Sequence, residues 1–487
     1  MDDYVPSLDP PFLPTEDGDR LNPSSVLLDT TAYISAAAVS NATTAKGEMS
    51  TGAPIQISFC LARPPRLSYL CAHFPGPVLG PSVGTVFGPA PGTPAARCVR
   101  DPPLVISTHA DLALLRVNIP GSLCVNTHDA FDYLVYNARP RPGASSLDLL
   151  PKPTGFPRFR DQDAAVVRCS GSRYVIAVLR TTRNPLEFQL QLYDSDTRRW
   201  TSTPLTLQAP ERDKVLHIPE DSDAEPLFHN TTKVITLEST TVGWVDLWRG
   251  ILFCDVLDEK PVLRDMPLPK PARCNRASFC RRSPYGHRDI TVVTLPDDQP
   301  TIKYVEMGIR PGAVPSSRRR QVHHQYSSSE SDDNDEDDAE HYWTATIWSM
   351  PVPIASWKDW TKDCTIDVAN IVIDNPRHCE LLRNVDPEEA SPSVTLNRLL
   401  TAYPTLGLGI NGEVVIYFLS KVDQMAREGW VIAVGAKESK LQGIAKLDDR
   451  KNFSFRRYYC PTEISKYLTK ATGEAGRLVR TRLSGRK

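Results

Sequence analysis

Residues 242–271 read VGWVDLWRGILFCDVLDEKPVLRDMPLPKP. Val242, Trp244, Val245, Leu247 and Trp248 form a run with the aromatic and β-branched weight of a pleated, half-buried surface. Arg249-Gly250 breaks the run, and Ile251, Leu252, Phe253 and Val256 resume it. That is the pattern of two strands joined by a tight, glycine-containing turn. Leu263, Met266 and Leu268 close the unit, and Pro267, Pro269 and Pro271 stop further sheet pairing.

The same sequence of events recurs on both sides. One unit runs AAVVRC (164–169), RYVIAVLRT (173–181) and EFQLQLYDSDTRRWTSTPL (187–205). The central one runs KVITLE (233–238), TVGWVDLW (241–248) and ILFCDVLDEKPVLRDMPL (251–268). A third runs RDITVVTL (288–295), TIKYVEMG (301–308) and YWTATIWSMPVPIASWKDW (342–360); a fourth runs PTLGLGI (404–410), EVVIYFLS (413–420) and GWVIAVGAKESKLQGIAKL (429–447). Tyr193-Asp194 before Trp200, and Cys254-Asp255 before Val262-Leu263, are matching corners. A repeat of about 60 residues with inserted loops predicts an all-β propeller-like fold. Roughly twenty to twenty-four short antiparallel strands give five or six blades, and a single sandwich domain leaves too many strands over.

Upstream, strand-like runs fall at Ile55–Leu61, Leu67–Phe74, Val105–Ser107, Leu112–Val117 and Tyr133–Tyr136. The Ala/Ser/Thr stretch between Thr30 and Thr51 reads as a long loop with a short helix at Ala36–Val39. Residues 138–160, including Leu147–Leu150, read as a Pro-rich connection. Helices are few, and Thr462–Ala471, with Thr462 as N-cap, is the best candidate. The expected organisation is a disordered tail over 1–22, a propeller-like domain over 23–470, and a basic tail over 471–487.

With 487 residues, 40% hydrophobic and 23% charged, this is the composition of a soluble globular chain. The 43 prolines lie between short apolar runs and leave little room for long helices. MDDYVPSLDPPFLP (1–14) has neither the basic nor the apolar part of a secretory signal, and no window is apolar enough to span a membrane. The 11 cysteines contain no C-x-x-C, which fits free thiols in a reducing cytosol or nucleus. The sequons at Asn41, Asn230 and Asn452 then have no route to glycosylation. The net charge of −2 hides an acidic run at Glu330–Glu340, and the mild positive balance of about +6 on the rest of the chain is too weak and dispersed for nucleic-acid binding.

GWVDLWRGILFCDVL (243–257), VLRDMPLPKP (262–271), SPYGHRDITVV (283–293), IKYVEMG (302–308) and WTATIWSMPVPIASWKDW (343–360) resemble the domain-of-unknown-function 1618 family of plant proteins, expanded in grasses. PSSVLLD (23–29), LVYNA (134–138) and SLDLLPKP (146–153) fit as well, and the signature portion covers about 240–375. The resemblance implies a propeller-like layout similar to regions beside F-box domains, and no assigned catalytic activity. No Leu-Pro-rich helical F-box precedes the sheet region here, so an adaptor role for ubiquitin ligation is not carried over.

Gly407, Gly409 and Gly412 match G-x-G-x-x-G, but a dinucleotide site needs a helix next and EVVIYFL (413–419) reads as a strand. A hairpin turn at Asn411-Gly412 explains the glycines. His287-Arg288-Asp289 looks like part of a kinase catalytic loop, yet position 294 is Thr where a metal-binding Asn belongs, and no D-F-G follows. These three residues read as a turn that ties blade edges together, or, on the rival enzyme reading, as the first catalytic candidates at a propeller mouth. His323, His324 and His341 lie in low-complexity sequence without the fixed spacing of a zinc site, and Ser170 lacks the glycines of a nucleophile elbow. No cofactor or metal is therefore expected. Trp244, Trp248, Trp343, Trp348, Trp357 and Trp360 read as core aromatics, with a minority near blade ends able to line a binding face.

Residues 311–341 carry the most regulatory content. Arg318-Arg319-Arg320 is followed by SSSESDDNDEDDAE (327–340), in which Ser327, Ser329 and Ser331 precede acidic residues as acidophilic kinases prefer. Such composition cannot bury enough apolar area to offset the entropy of ordering. The leading reading is a non-enzymatic, intracellular scaffold that binds a protein partner, with this segment as a looped-out insertion. Because loop-closure entropy grows only logarithmically with length, replacing 313–339 by a short Gly-Ser linker should leave the melting temperature nearly unchanged. A large drop on thermal denaturation would show that the segment supports the core.

Overall fold

The computed structural model describes residues 10–11, 24–35, 37–75, 102–119, 131–140, 145–153, 159–208, 210–212, 228–238, 240–279, 283–294, 299–310, 342–383, 396–397, 399–409, 412–422, 426–448 and 459–468. The strands in chain order are β1 (Val26–Asp29), β2 (Tyr33–Ile34), β3 (Ala45–Glu48), β4 (Pro54–Cys60), β5 (Leu67–His73), β6 (Leu104–His109), β7 (Leu112–Asn118), β8 (Phe131–Asn137) and β9 (Leu147–Leu150). They continue as β10 (Ala164–Arg168), β11 (Tyr174–Thr181), β12 (Glu187–Asp194), β13 (Arg199–Thr206), β14 (Lys233–Glu238), β15 (Thr241–Asp246), β16 (Gly250–Asp255) and β17 (Arg264–Pro267). The last are β18 (Arg288–Val293), β19 (Thr301–Arg310), β20 (Tyr342–Pro351), β21 (Thr361–Asp367), β22 (Leu400–Leu408), β23 (Val414–Lys421), β24 (Trp430–Gly435), β25 (Lys440–Lys446) and β26 (Tyr459–Thr462).

These strands form six sheets arranged as the blades of a β-propeller. Five are four-stranded meanders taken from consecutive strands: β6–β9, β10–β13, β14–β17, β18–β21 and β22–β25, here the first to fifth blades. The sixth joins the two ends of the chain. Its order is β26-β1-β5-β4-β3, with β2 also on β5. β26 runs antiparallel to β1, from Val26 opposite Thr462 to Asp29 opposite Tyr459, while β1 and β2 pair β5 in parallel. The exclusively antiparallel expectation is therefore corrected in this closing blade, where the inner strand comes from the far end of the sequence.

One apolar cluster fills each space between neighbouring blades. Leu28, Ile57, Leu115 and Leu134 pack the closing blade on the first, and Leu112, Val135, Ile176 and Val178 pack the first on the second. Val167, Leu190, Trp244 and Leu252 join the second to the third, and Ile251, Met266, Tyr304 and Met350 the third to the fourth. Trp343, Ile366, Phe418 and Ile432 join the fourth to the fifth, and Leu27, Tyr417, Val431 and Tyr459 return to the closing blade. The inner and second strands therefore carry apolar residues on both faces, which is why AAVVR of β10 and VVIYFLSK of β23 show little alternation.

The stretch 242–271 forms the hairpin its sequence predicts. Trp244 pairs with Leu252 and Asp246 with Gly250. Asp246 Oδ1 accepts the Trp248 and Arg249 N–H groups, which folds the chain back at the end of β15. Gly250 follows at φ +152°, and a Cβ there would stand 2.5 Å from the Met266 carbonyl oxygen, so the turn requires glycine. The same aspartate device ends other strands: Asp194 accepts from Asp196 N–H, Asp255 from Leu257 N–H and Asp367 from Ala369 N–H. The repeated Asp corners of the sequence are Asx turns.

Several elements differ from expectation. Ala45–Glu48 is a strand inside the expected loop, and Leu147–Leu150 is the outer strand of the first blade. No helix forms over residues 37–39, and residue 36 lies outside the described residues. Thr462 ends β26 rather than capping a long helix; its Oγ1 accepts the Ile464 N–H, and only a 3-10 turn at Ile464–Lys466 follows, with Glu463 at its N-cap position. The one α-helix among the described residues, α1 (Pro376–Arg383), was not anticipated. Residues 1–9, 12–23, 311–341 and 469–487 lie outside the described residues.

Trp244 is fully buried between the second and third blades, and its indole N–H donates to the Asp163 carbonyl at 2.9 Å. Trp244→Ala should lower stability by about 3–5 kcal/mol, a large part of the roughly 5–15 kcal/mol of a folded domain. An unchanged denaturant midpoint would contradict this packing.

Candidate functional site

Six inner strands surround a central channel of about 740 Å³. β6, β10, β14, β18, β22 and β26 all contribute lining residues, among them Ser107, Val166, Ile235, Thr291, Gly407 and Pro461. An inner strand is a sheet edge, and its outward backbone groups need partners. Part of that need is met across the channel wall. Val166 N–H donates to Ser107 Oγ and Arg168 N–H to His109 Nδ1, so β6 side chains satisfy β10. Leu406 N–H donates to Asp289 Oδ2, and Lys233 Nζ to the Ile290 carbonyl, which links the third, fourth and fifth blades.

This places the three residues singled out by the kinase-like motif. Arg288 is fully buried; its Nη1 donates to the Leu247 carbonyl and its Nη2 to Glu306 Oε1 at 2.7 Å. Its guanidinium lies 4.3 Å from the Trp248 ring centroid. Asp289 is also fully buried and accepts from Lys233 Nζ at 2.9 Å as well as from Leu406 N–H. His287 N–H donates to the Pro284 carbonyl, and its own carbonyl accepts the Met307 N–H. Arg288 and Asp289 do not line the channel, whereas Lys233 does and directs its ammonium at Asp289. Glu306 adds Asn275 Nδ2 and the Ala272 N–H, closing a buried polar network around Arg288.

Asp161 and Glu463, which also line the channel, are similarly engaged. Asp161 meets Arg116 at 2.5 Å and the Tyr133 hydroxyl at 2.7 Å, and Glu463 meets Lys466 at 2.8 Å. Burial, then the neighbouring Arg168 charge, lowers the affinity of His109 for a proton. Its Nδ1 accepts from backbone, which places the proton of the neutral ring on Nε2. No group of three or more His, Cys, Asp and Glu side chains is placed to hold a metal among the described residues. Gly407, Gly409 and Gly412 lie on a hairpin: β22 and β23 flank it, Gly412 N–H donates to the Gly409 carbonyl, and Gly412 has φ +76°. Trp244 and Trp343 are fully buried, Trp248 nearly so, and none of the six singled-out tryptophans lines the channel. Ser327, Ser329 and Ser331 lie outside the described residues.

A second concavity, about 240 Å³, lies beside the channel between the third and fourth blades. Its apolar wall is Leu237, Phe253, Val262, Val352 and Ile354, and Val262 is 63% exposed. Glu238, Asp255 and Asp258 stand on its rim with Arg264. Leu237 and Glu238 line both the groove and the channel. The sequence did not reveal this site, because its parts come from the ends of five strands and the loops beside them. The exposed Val262 after Lys260-Pro261 was the available signal.

A buried triad was missed as well. Arg212 donates through its N–H and Nε to Asp265, and through Nη1 to His229 Nδ1. Burial, then the charges of Arg212, Arg249 and Arg160, pushes His229 well below its ordinary proton affinity. The unfolded chain binds that proton near pH 6.5, so stability should fall as pH drops from about 6.5 towards 5. His229→Gln keeps an acceptor for Arg212 and should flatten this part of the profile in denaturation series. A wild-type midpoint that rises on acidification across the window would contradict the neutral, buried ring.

Residues 244–417 match the family model described as Protein of unknown function (DUF1618). No curated protein sequence matches. Among solved structures, Sqt1 of Saccharomyces cerevisiae aligns over 70% of this chain and 74% of its own, at 6% identity and a TM-score of 0.29. An α-L-arabinofuranosidase from Lactobacillus brevis aligns over 72% and 86%, at 8% identity and 0.28. A Penicillium chrysogenum α-L-arabinanase complexed with arabinobiose aligns over 70% and 90%, at 8% identity and 0.25. Likeness at this level carries no inference about activity or ligand.

Proposed function

We propose that this chain, whose residues 244–417 carry the DUF1618 match, is a non-enzymatic scaffold that docks a cationic segment of a protein partner. The docking site is the groove between the third and fourth blades. The observation that carries this reading is the pairing of an exposed apolar residue, Val262, with three rim carboxylates against one arginine. A lysine or arginine flanked by an apolar side chain matches that surface in charge and shape. Support also comes from Arg288 and Asp289, whose charges are spent on holding blades together. The described cysteines are all free thiols, which favours a reducing intracellular compartment. No helix among the described residues is long and apolar enough to cross a membrane.

The test is selection of a displayed random peptide library on the full chain, followed by affinity measurement with the enriched peptides. Peptides should carry Lys or Arg beside an apolar residue. Asp258→Lys, an exposed rim substitution, should weaken them about tenfold or more, through like-charge repulsion. Asp374→Lys, exposed and outside the groove, should leave affinity unchanged. Enrichment of acidic peptides, or binding indifferent to Asp258→Lys, would overturn the reading.

A further inference from the structure

We propose that Cys60 and Cys71 are a redox modification site on the closing blade, where a hydroperoxide converts the two thiols into an intramolecular disulfide. Their sulfurs stand 3.9 Å apart on neighbouring strands β4 and β5. Cys60 is opposite Tyr69 and Ser58 opposite Cys71, so the two cysteines are offset by two residues and share one face. Cys71 is 2% exposed and Cys60 is half-buried, which gives one thiol access to a small oxidant and keeps its partner sheltered behind it. Tyr33 and Tyr69 pack edge-to-face at 4.9 Å beside them, in one cluster with Cys71.

The chemical environment separates Cys60 from other described cysteines. The hydrogen bond with Cys71, against the effect of burial and with help from Tyr69, lowers its thiol pKa. Burial raises the thiols of Cys169 and Cys364, and raises Cys254 to about 12. A lowered thiol has more thiolate, and the thiolate is the nucleophile.

The steps balance with one equivalent of hydroperoxide. The Cys60 thiolate attacks the peroxide, an S–O bond forms as the O–O bond breaks, and the released hydroxide or alkoxide takes up a proton. The Cys71 thiol then attacks the sulfenic sulfur; an S–S bond forms, the S–O bond breaks, and water leaves with the Cys71 proton. Two thiols are oxidised by two electrons and the peroxide is reduced to alcohol or water. Diagonal neighbours on adjacent strands normally have Cα atoms about 7–8 Å apart, beyond the 4.4–6.8 Å that a relaxed disulfide spans. Forming the bond therefore draws β4 and β5 together, and a bridge of that kind is readily reduced. This suits a reversible mark rather than a permanent staple. β5 also holds β1 and β2 in parallel pairing, so the mark falls on the sheet that joins the chain ends.

The experiment is titration of the full-length chain with hydrogen peroxide, quenching with N-ethylmaleimide, and peptide mapping by mass spectrometry. A Cys60–Cys71 cross-linked peptide lighter by two hydrogens is expected, reversible by a dithiol reductant. Cys60 should be consumed faster than Cys364, as its larger thiolate fraction implies. In Cys71→Ser, dimedone should trap a sulfenic acid on Cys60; in Cys60→Ser, Cys71 should stay unmodified. Wild-type protein that yields no such cross-link, or that oxidises Cys364 as fast as Cys60, overturns the proposal whether or not the variants fold.

Discussion

A sheet edge leaves backbone N–H and C=O groups without strand partners, and a ring of separate sheets brings six such edges to its centre. The rest of this molecule depends on how those inner edges are satisfied. β10 takes hydroxyl and imidazole acceptors from β6, and β22 takes a carboxylate from β18. Asp289 does two tasks at once: it accepts a backbone N–H from the fifth blade and neutralises Lys233 of the third. A charged pair taken out of water is tolerable only when its remaining donors and acceptors are also met, and here Lys233 additionally meets the Ile290 carbonyl.

That constraint also bears on function. Side chains that look catalytic in sequence, such as Arg288 and Asp289, sit where the ring needs polar groups. Arg288 reaches back to Leu247 and across to Glu306, so one residue connects the hairpin at 242–271 with the fourth blade. The groove we propose for recognition lies where Glu238 ends β14 and Val262 stands in the loop before β17. The reading of the chain as a binding scaffold rests on this division between buried polar ties and exposed rim.

Much of the architecture was legible because the blades repeat. Each of the second to fifth blades has apolar strands dense enough to be read, and the Asp corners mark their turns. In the closing blade β4 and β5 were legible as Ile55–Leu61 and Leu67–Phe74, whereas its remaining strands were hidden for physical reasons. AKGE (45–48) is an outer strand with three of its four residues not buried, so it carries no apolar pattern. YCPT (459–462) contains Pro461, which fits a strand only at an edge, and its partner β1 lies more than 400 residues away in sequence. Leu147–Leu150 was hidden by prolines on both sides. The groove was hidden because no local pattern records which strand ends meet.

Hydrogen exchange at single amides tests the inner-edge account most directly, above all at Leu406. If Asp289 holds that N–H, it should exchange as slowly as the centre of β23 in the wild-type protein, and much faster in Asp289→Asn while β23 stays protected. Fast exchange at Leu406 in the wild type, or protection unchanged by the substitution, would contradict the claim that buried polar side chains close the ring.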